Sequence, residues 1–193
     1  MIKMPNNWNE VKEFSERPKL PLGAYVCKVK NAVIQNNEYG EQLCLVFDIA
    51  EGDYKDFYKN EFDTNNAADK KYKGVLRVWL PKNNGDSKDE TTKSILKGLV
   101  TSFEKSNVGY IFDWNEKSLV NKWVGIMFRN EEWLWNGKTG WAVRPFKAIS
   151  VESVRNGDFQ LPKDKPLAET TNTAQIPDYS NDFTEVAGED LPF

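Results

Sequence analysis

The chain has 193 residues, 39% hydrophobic and 13% aromatic, enough for one domain with a packed core and a polar remainder. It contains no histidine, which excludes Ser-His-Asp and Cys-His catalysis and leaves zinc only two cysteines plus carboxylates, so neither a metal nor another cofactor is expected. No run nears the roughly 18 apolar residues of a membrane span, and MIKMPNNWNEV lacks the apolar stretch of a secretion signal, so a cytoplasmic protein without a membrane partner is expected.

The net charge of −3 is unevenly placed. Residues 157–193 hold eight acids and two lysines, so residues 1–156 carry +3. A mildly basic body with an acidic tail is an asymmetry that accompanies nucleic-acid binding.

In chain order, residues 1–21 form a lead-in with a short amphipathic piece, NWNEVKEFSE, closed by Pro18 and Pro21. AYVCKVKNAVI (24–34) alternates apolar and polar residues and predicts a strand. After the turn NNEYGE, QLCLVFDIA places Leu43, Leu45, Phe47 and Ile49 on one face, as the hairpin partner. Cys27 and Cys44 fall within these runs and read as buried free thiols. Residues 51–73 have no clean period and predict an excursion with a helical turn near Phe57 to Phe62.

GVLRVWLPK predicts a third strand, with Leu76, Val78 and Leu80 facing inward and Arg77 and Trp79 outward. Ser87 and Glu90 have capping-box spacing ahead of Ile95, Leu96, Leu99, Val100 and Phe103, which predicts a helix over 88–105. LVNKWVGIMFR predicts a fourth strand. EEWLWNGKTGWAVRPFKAISV predicts a hairpin turning at Asn136-Gly137. From Gly157 the period vanishes into Pro, Thr, Asn and acids, which predicts a disordered tether.

Three strands, a helix and two or three more strands is the element order of a mainly β OB-fold, a five-stranded Greek-key barrel with one helix between strands 3 and 4. A small sandwich or another barrel has the same count. The domain is expected to span residues 22–156.

Flat aromatics interleaved with cations suit single-stranded nucleic acid, since every base offers a π-face and every nucleotide a phosphate. The candidates are Trp133, Trp135, Trp141, Lys138, Arg129 and Arg144 around the late hairpin, Arg77 and Trp79 on the third strand, and Lys28 and Lys30 on the first. Tryptophans also plug barrel ends and stabilise hairpins by cross-strand pairing. Lys70, Lys71 and Lys73 around Tyr72 read either as a backbone clamp or as a solvated loop. No phosphate-binding loop or dinucleotide fingerprint occurs, and no enzyme is expected. Asp48, Glu51 and Asp53 weakly resemble the acids of a magnesium-dependent nuclease.

The chain ends on Glu189, Asp190, Leu191, Pro192 and Phe193. This end resembles the tip of bacterial single-stranded DNA-binding proteins, in which acids precede an apolar residue, Pro and Phe. The usual tip has more consecutive aspartates and an isoleucine; here two adjacent acids precede a leucine. The segments MPNNWNEV, LPLGAYVCKVKNA and LVNKWVGIMFRNEEW look like those of small proteins encoded in replication and recombination regions of Gram-positive phages. Together the resemblances imply a phage-type protein in the bacterial host's cytoplasm. It would coat single-stranded DNA with little sequence preference, in replication, recombination and repair, and recruit partner proteins through the tip, with homo-oligomers possible in such a role. A protein-binding, host-modulating module is the main alternative.

Overall fold

The computed structural model describes residues 3–10 and 18–167. Five strands form one antiparallel sheet: β1 (Ala24–Asn37), β2 (Gly40–Ile49), β3 (Val75–Trp79), β4 (Trp123–Trp135) and β5 (Lys138–Ile149), in the order β3-β2-β1-β4-β5. The outer strands β3 and β5 also come into contact with each other. Cys27, Val29 and Ala32 of β1 oppose Ile49, Phe47 and Leu45 of β2, and all six are sealed from solvent. A bulge at Lys30 inserts one residue into β1, so the alternation read from the sequence shifts there.

β2 departs from the one-faced strand its sequence predicts. Leu43, Leu45, Phe47 and Ile49 are buried, but so are Cys44, Val46 and Asp48 between them. A strand with neighbours on both sides and covered faces reads as a continuous apolar run. Both cysteines are buried and free.

The aromatic part of the core gathers on Phe47 and Phe128, whose rings meet at 6.3 Å, with Tyr58 at 5.6 Å from Phe47 and 6.5 Å from Phe128. The two contacts of Phe47 are edge-to-face and the Tyr58–Phe128 pair is stacked, and aromatic pairs of these kinds contribute about 0.5–1.5 kcal/mol each beyond area burial. Tyr58 belongs to α1 (Phe57–Asp63), the helical turn expected within the 51–73 excursion. The buried carboxylate of Asp48 holds α1 in place: it accepts from the backbone N–H of Ile49, Tyr58 and Lys59 at 2.9, 3.0 and 2.9 Å. The Tyr58 and Lys59 groups are donors that a helix start leaves without intrahelical partners.

The long helix α2 (Ser87–Ser106) lies between β3 and β4 in the chain. Its N-cap is Asp86 rather than the expected Ser87, with the Asp86 carboxylate accepting from Asp89 N–H at 2.7 Å. Leu99 and Phe103 enter the core, and Leu96 packs against it. Ile95, read from its spacing as a core residue, is 54% exposed, because its row reaches the core only from Leu99 onward.

A short helix α3 (Val151–Asn156) crosses β1 and β4 and ends at Gly157, whose φ of 69° stops it. Part of the segment expected as a free tether is tied down. Lys165 donates to Asn130 O and accepts from Glu132 N–H, both at 2.9 Å, so it runs beside β4. The rest of the acidic tail and residues 11–17 of the amphipathic lead-in lie outside the described residues.

Candidate nucleic-acid interface

Register decides which side chains share a face, because directly opposed residues in an antiparallel ladder project to the same side. β4 and β5 run past the start of β1 and form a long hairpin, turned by Asn136 and Gly137 with φ values of 47° and 74°. Both positive angles suit a two-residue hairpin turn and match the expectation from the Asn-Gly pair. Trp135 opposes Lys138, Trp133 opposes Gly140, and Arg129 opposes Arg144. The buried positions Val124, Ile126 and Phe128 alternate with these, so the cations and the two indoles occupy the outer face.

Trp133 lies over Gly140. A side-chain carbon added there would come within 2.5 Å of the indole, so the missing side chain is what lets the ring lie flat on β5. Trp135, beyond it, is 69% exposed. Trp141 opposes Glu132 and therefore projects from the other face, 51% exposed. The three tryptophans that the sequence grouped are thus divided two and one.

Arg129 is the most constrained cation. Its Nη2 donates to Glu131 at 2.5 Å, and its guanidinium lies 4.1 Å from the centre of the Phe146 ring. Its buried Nε donates to no group among the described residues. Arg144 stands directly opposite, so two like charges face each other across the ladder, and the Glu131 carboxylate beside Arg129 offsets part of their repulsion. Phe146 has no sequence signal as a partner: it reaches Arg129 because a bulge shifts the β4–β5 register at this point.

On the other wing, Arg77 opposes Cys44 and Trp79 opposes Gln42. Burial raises the Cys44 thiol's pKa, while the Arg77 charge pulls it back down. Trp79 and Lys82 both reach the β1–β2 turn, within 4.0 Å of where a side chain at Gly40 would begin. Lys82 was missed in the sequence; its place three residues after an outward tryptophan, across Pro81, was the available signal. Lys28 sits 6.0 Å from the Trp123 ring, with which it shares the outer face, whereas Lys30 is the extra residue of the bulge.

The basic-aromatic loop at 70–73 serves the fold. Tyr72 is buried and donates to Phe47 O at 3.1 Å, Lys70 lies over the Phe62 ring, and Lys73 pairs with Glu61. Of the weak nuclease-like acids, Asp48 is engaged by three backbone N–H groups and Glu51 by both ends of the Arg155 guanidinium. No group of three metal-ligating side chains occurs among the described residues, and no helix there is long and apolar enough to cross a membrane. The tip residues Glu189, Asp190, Leu191, Pro192 and Phe193 lie outside the described residues. Comparison of the chain with protein-family models found no match, and comparison with curated proteins found none.

Proposed function

We propose that this chain binds single-stranded DNA with little sequence preference, as an OB-type barrel whose outer face stacks bases and neutralises phosphates. The observation that carries this reading is the shared outer face of the hairpin, with an exposed Trp135 beside Lys138 and a flattened Trp133 above the Arg129–Arg144 pair. Stacking contributes about 1–3 kcal/mol per base and tolerates any base, while cations add salt-dependent affinity. The OB reading is supported by the strand order, by the helix between β3 and β4, and by the contact between β3 and β5 that brings the sheet's edges together.

Titration with oligo-dT at low salt quenches tryptophan emission under this reading, and the affinity falls as salt rises; unchanged emission at low salt overturns it. Recruitment of replication, recombination or repair proteins through Glu189, Asp190, Leu191, Pro192 and Phe193 is the second half of the proposal. It rests on the chemistry of a phenyl ring beside carboxylates, which fits an apolar pocket with a basic rim. Phe193→Ala abolishes that recruitment without changing oligo-dT binding.

One observation favours a protein-binding reading instead: the loop after α2 exposes Val108, Ile111 and Trp114 together. An intact protein that ignores oligo-dT but binds a protein through this loop would establish it. A labelled single strand that stays whole in magnesium rules out the nuclease.

A further inference from the structure

The cleft between α2 and β5 has a chemistry that the fold does not use. Lys97, Thr101 and Lys105 are spaced four residues apart on α2 and form one ridge. Lys147 of β5 lines the opposite side, and Ser102, Ser150 and Ser153 complete the polar lining of a cleft of about 330 Å³. No carboxylate of the described residues lines it. The three lysines are exposed, and none is in a salt bridge with a described residue.

Elsewhere on the helices Lys88 is in no salt bridge with a described residue, but the other side-chain cations of α1, α2 and α3 outside the cleft are paired. Lys59 pairs with Asp63, and Lys93 pairs with Asp89 and Glu90 one turn before Lys97. Gathering three uncompensated ammonium groups around one cleft raises a positive potential that an anion relieves. The cleft also includes Gly98, inside a 20-residue helix, where an added side-chain carbon would meet nothing within 4 Å. A mid-helix glycine costs about 1 kcal/mol relative to alanine. Packing does not require this one, and it keeps the cleft open.

The cleft is continuous with the hairpin's outer face. Arg144 opposes Arg129 and Lys147 opposes Met127, two residues apart on β4, so both β5 cations project to the same side. Lys138, Arg144 and Lys147 therefore form a cationic row along β5, about 30 Å from the turn to the cleft at a strand's rise per residue.

We propose that this cleft seats backbone phosphates of the strand whose bases stack on Trp133 and Trp135, extending the binding path from the hairpin along β5 to α2. The inference rests on the proposed single-strand binding. It is tested in the full chain with Lys97→Gln, Lys105→Gln and Lys147→Gln combined, against Lys55→Gln, Lys88→Gln and Lys163→Gln combined, a charge-matched set that does not line the cleft.

Tryptophan quenching is titrated with oligo-dT of about 6 and about 16 nucleotides, both within the range of OB site sizes. For the cleft variant, the quench and the short-oligomer affinity are retained. The long-oligomer affinity falls at least tenfold at about 0.1 M salt, and the slope of log K against log salt becomes shallower by about 2, as three lost single-strand phosphate contacts require. The control keeps the wild-type slope. An unchanged slope in the cleft variant with normal quenching overturns the cleft alone, and so does an equal loss in the control. Tighter binding by the cleft variant would assign the cleft to the chain's own acids and also overturn the proposal. No quenching in the wild type at either length overturns the underlying function instead.

Discussion

Trp135 and Trp141 sit on the same hairpin, similarly exposed, but on opposite faces. That difference makes the pair a sharp test. Trp135→Ala is expected to weaken oligo-dT binding about 5- to 150-fold, the equivalent of one lost stacking contact. Trp141→Ala, measured by the same anisotropy titration, leaves the affinity within about twofold of wild type, and both variants unfold within about 0.5 kcal/mol of the parent because each ring is largely in water. Asp48 plays the converse part, as a buried group that serves stability. Asp48→Ala strands three backbone N–H groups and is expected to cost about 3 kcal/mol in urea unfolding. Burial raises the Asp48 pKa, against the backbone N–H groups that pull it down. The folded state therefore keeps this proton to higher pH than the unfolded chain does. The proton-linked part of Asp48's contribution is fully present below the unfolded value of about 4 and is lost as pH climbs through the raised native value, while the three N–H bonds remain. That slope is expected to be missing from urea unfolding of Asp48→Asn.

At the scale of elements, the hairpin shows how much of the site was readable. Asn136-Gly137 predicted its turn and the aromatic arms predicted its strands, because turn chemistry and alternation are local properties. That Trp133 and Trp135 share a face followed from strand alternation, but that Trp141 leaves it was not readable, since that depends on the pairing of residue 132 with 141. The Lys30 bulge and the Asp48 cap were hidden for the same reason: each is a relation between segments. Gly140→Val tests the hairpin's packing. Its branched carbon would press into Trp133 at 2.5 Å, so the indole is expected to lift off, with altered emission and a loss of about 1–3 kcal/mol in thermal unfolding. Helix α2 behaved likewise: its existence followed from spacing, while the exposure of Ile95 followed from where the sheet ends.

For the whole molecule, charge governs the expected behaviour. Residues 168–193 contain six acids and no base, so removing them turns a net −3 into +3. Because Lys165 is bonded to β4 and Leu167 N–H donates to Glu132, the cut belongs after Leu167 and not at Gly157. A chain ending at Leu167 is expected to melt within a few degrees of the full protein and to bind oligo-dT more tightly at low salt, with the difference vanishing at high salt. Equal affinity at low salt would show that the tail's charge does not reach the binding face. The sequence by itself determined the mainly β class, the β1–β2 hairpin, β3, the long helix, the late turn, the free thiols and the charge asymmetry, because composition and period act over a few neighbouring residues. Only the tertiary structure decided which cations and indoles share a surface, what Asp48 holds and where α2 meets Lys147, because those follow from strand register and long-range packing, which bring together residues far apart in the chain.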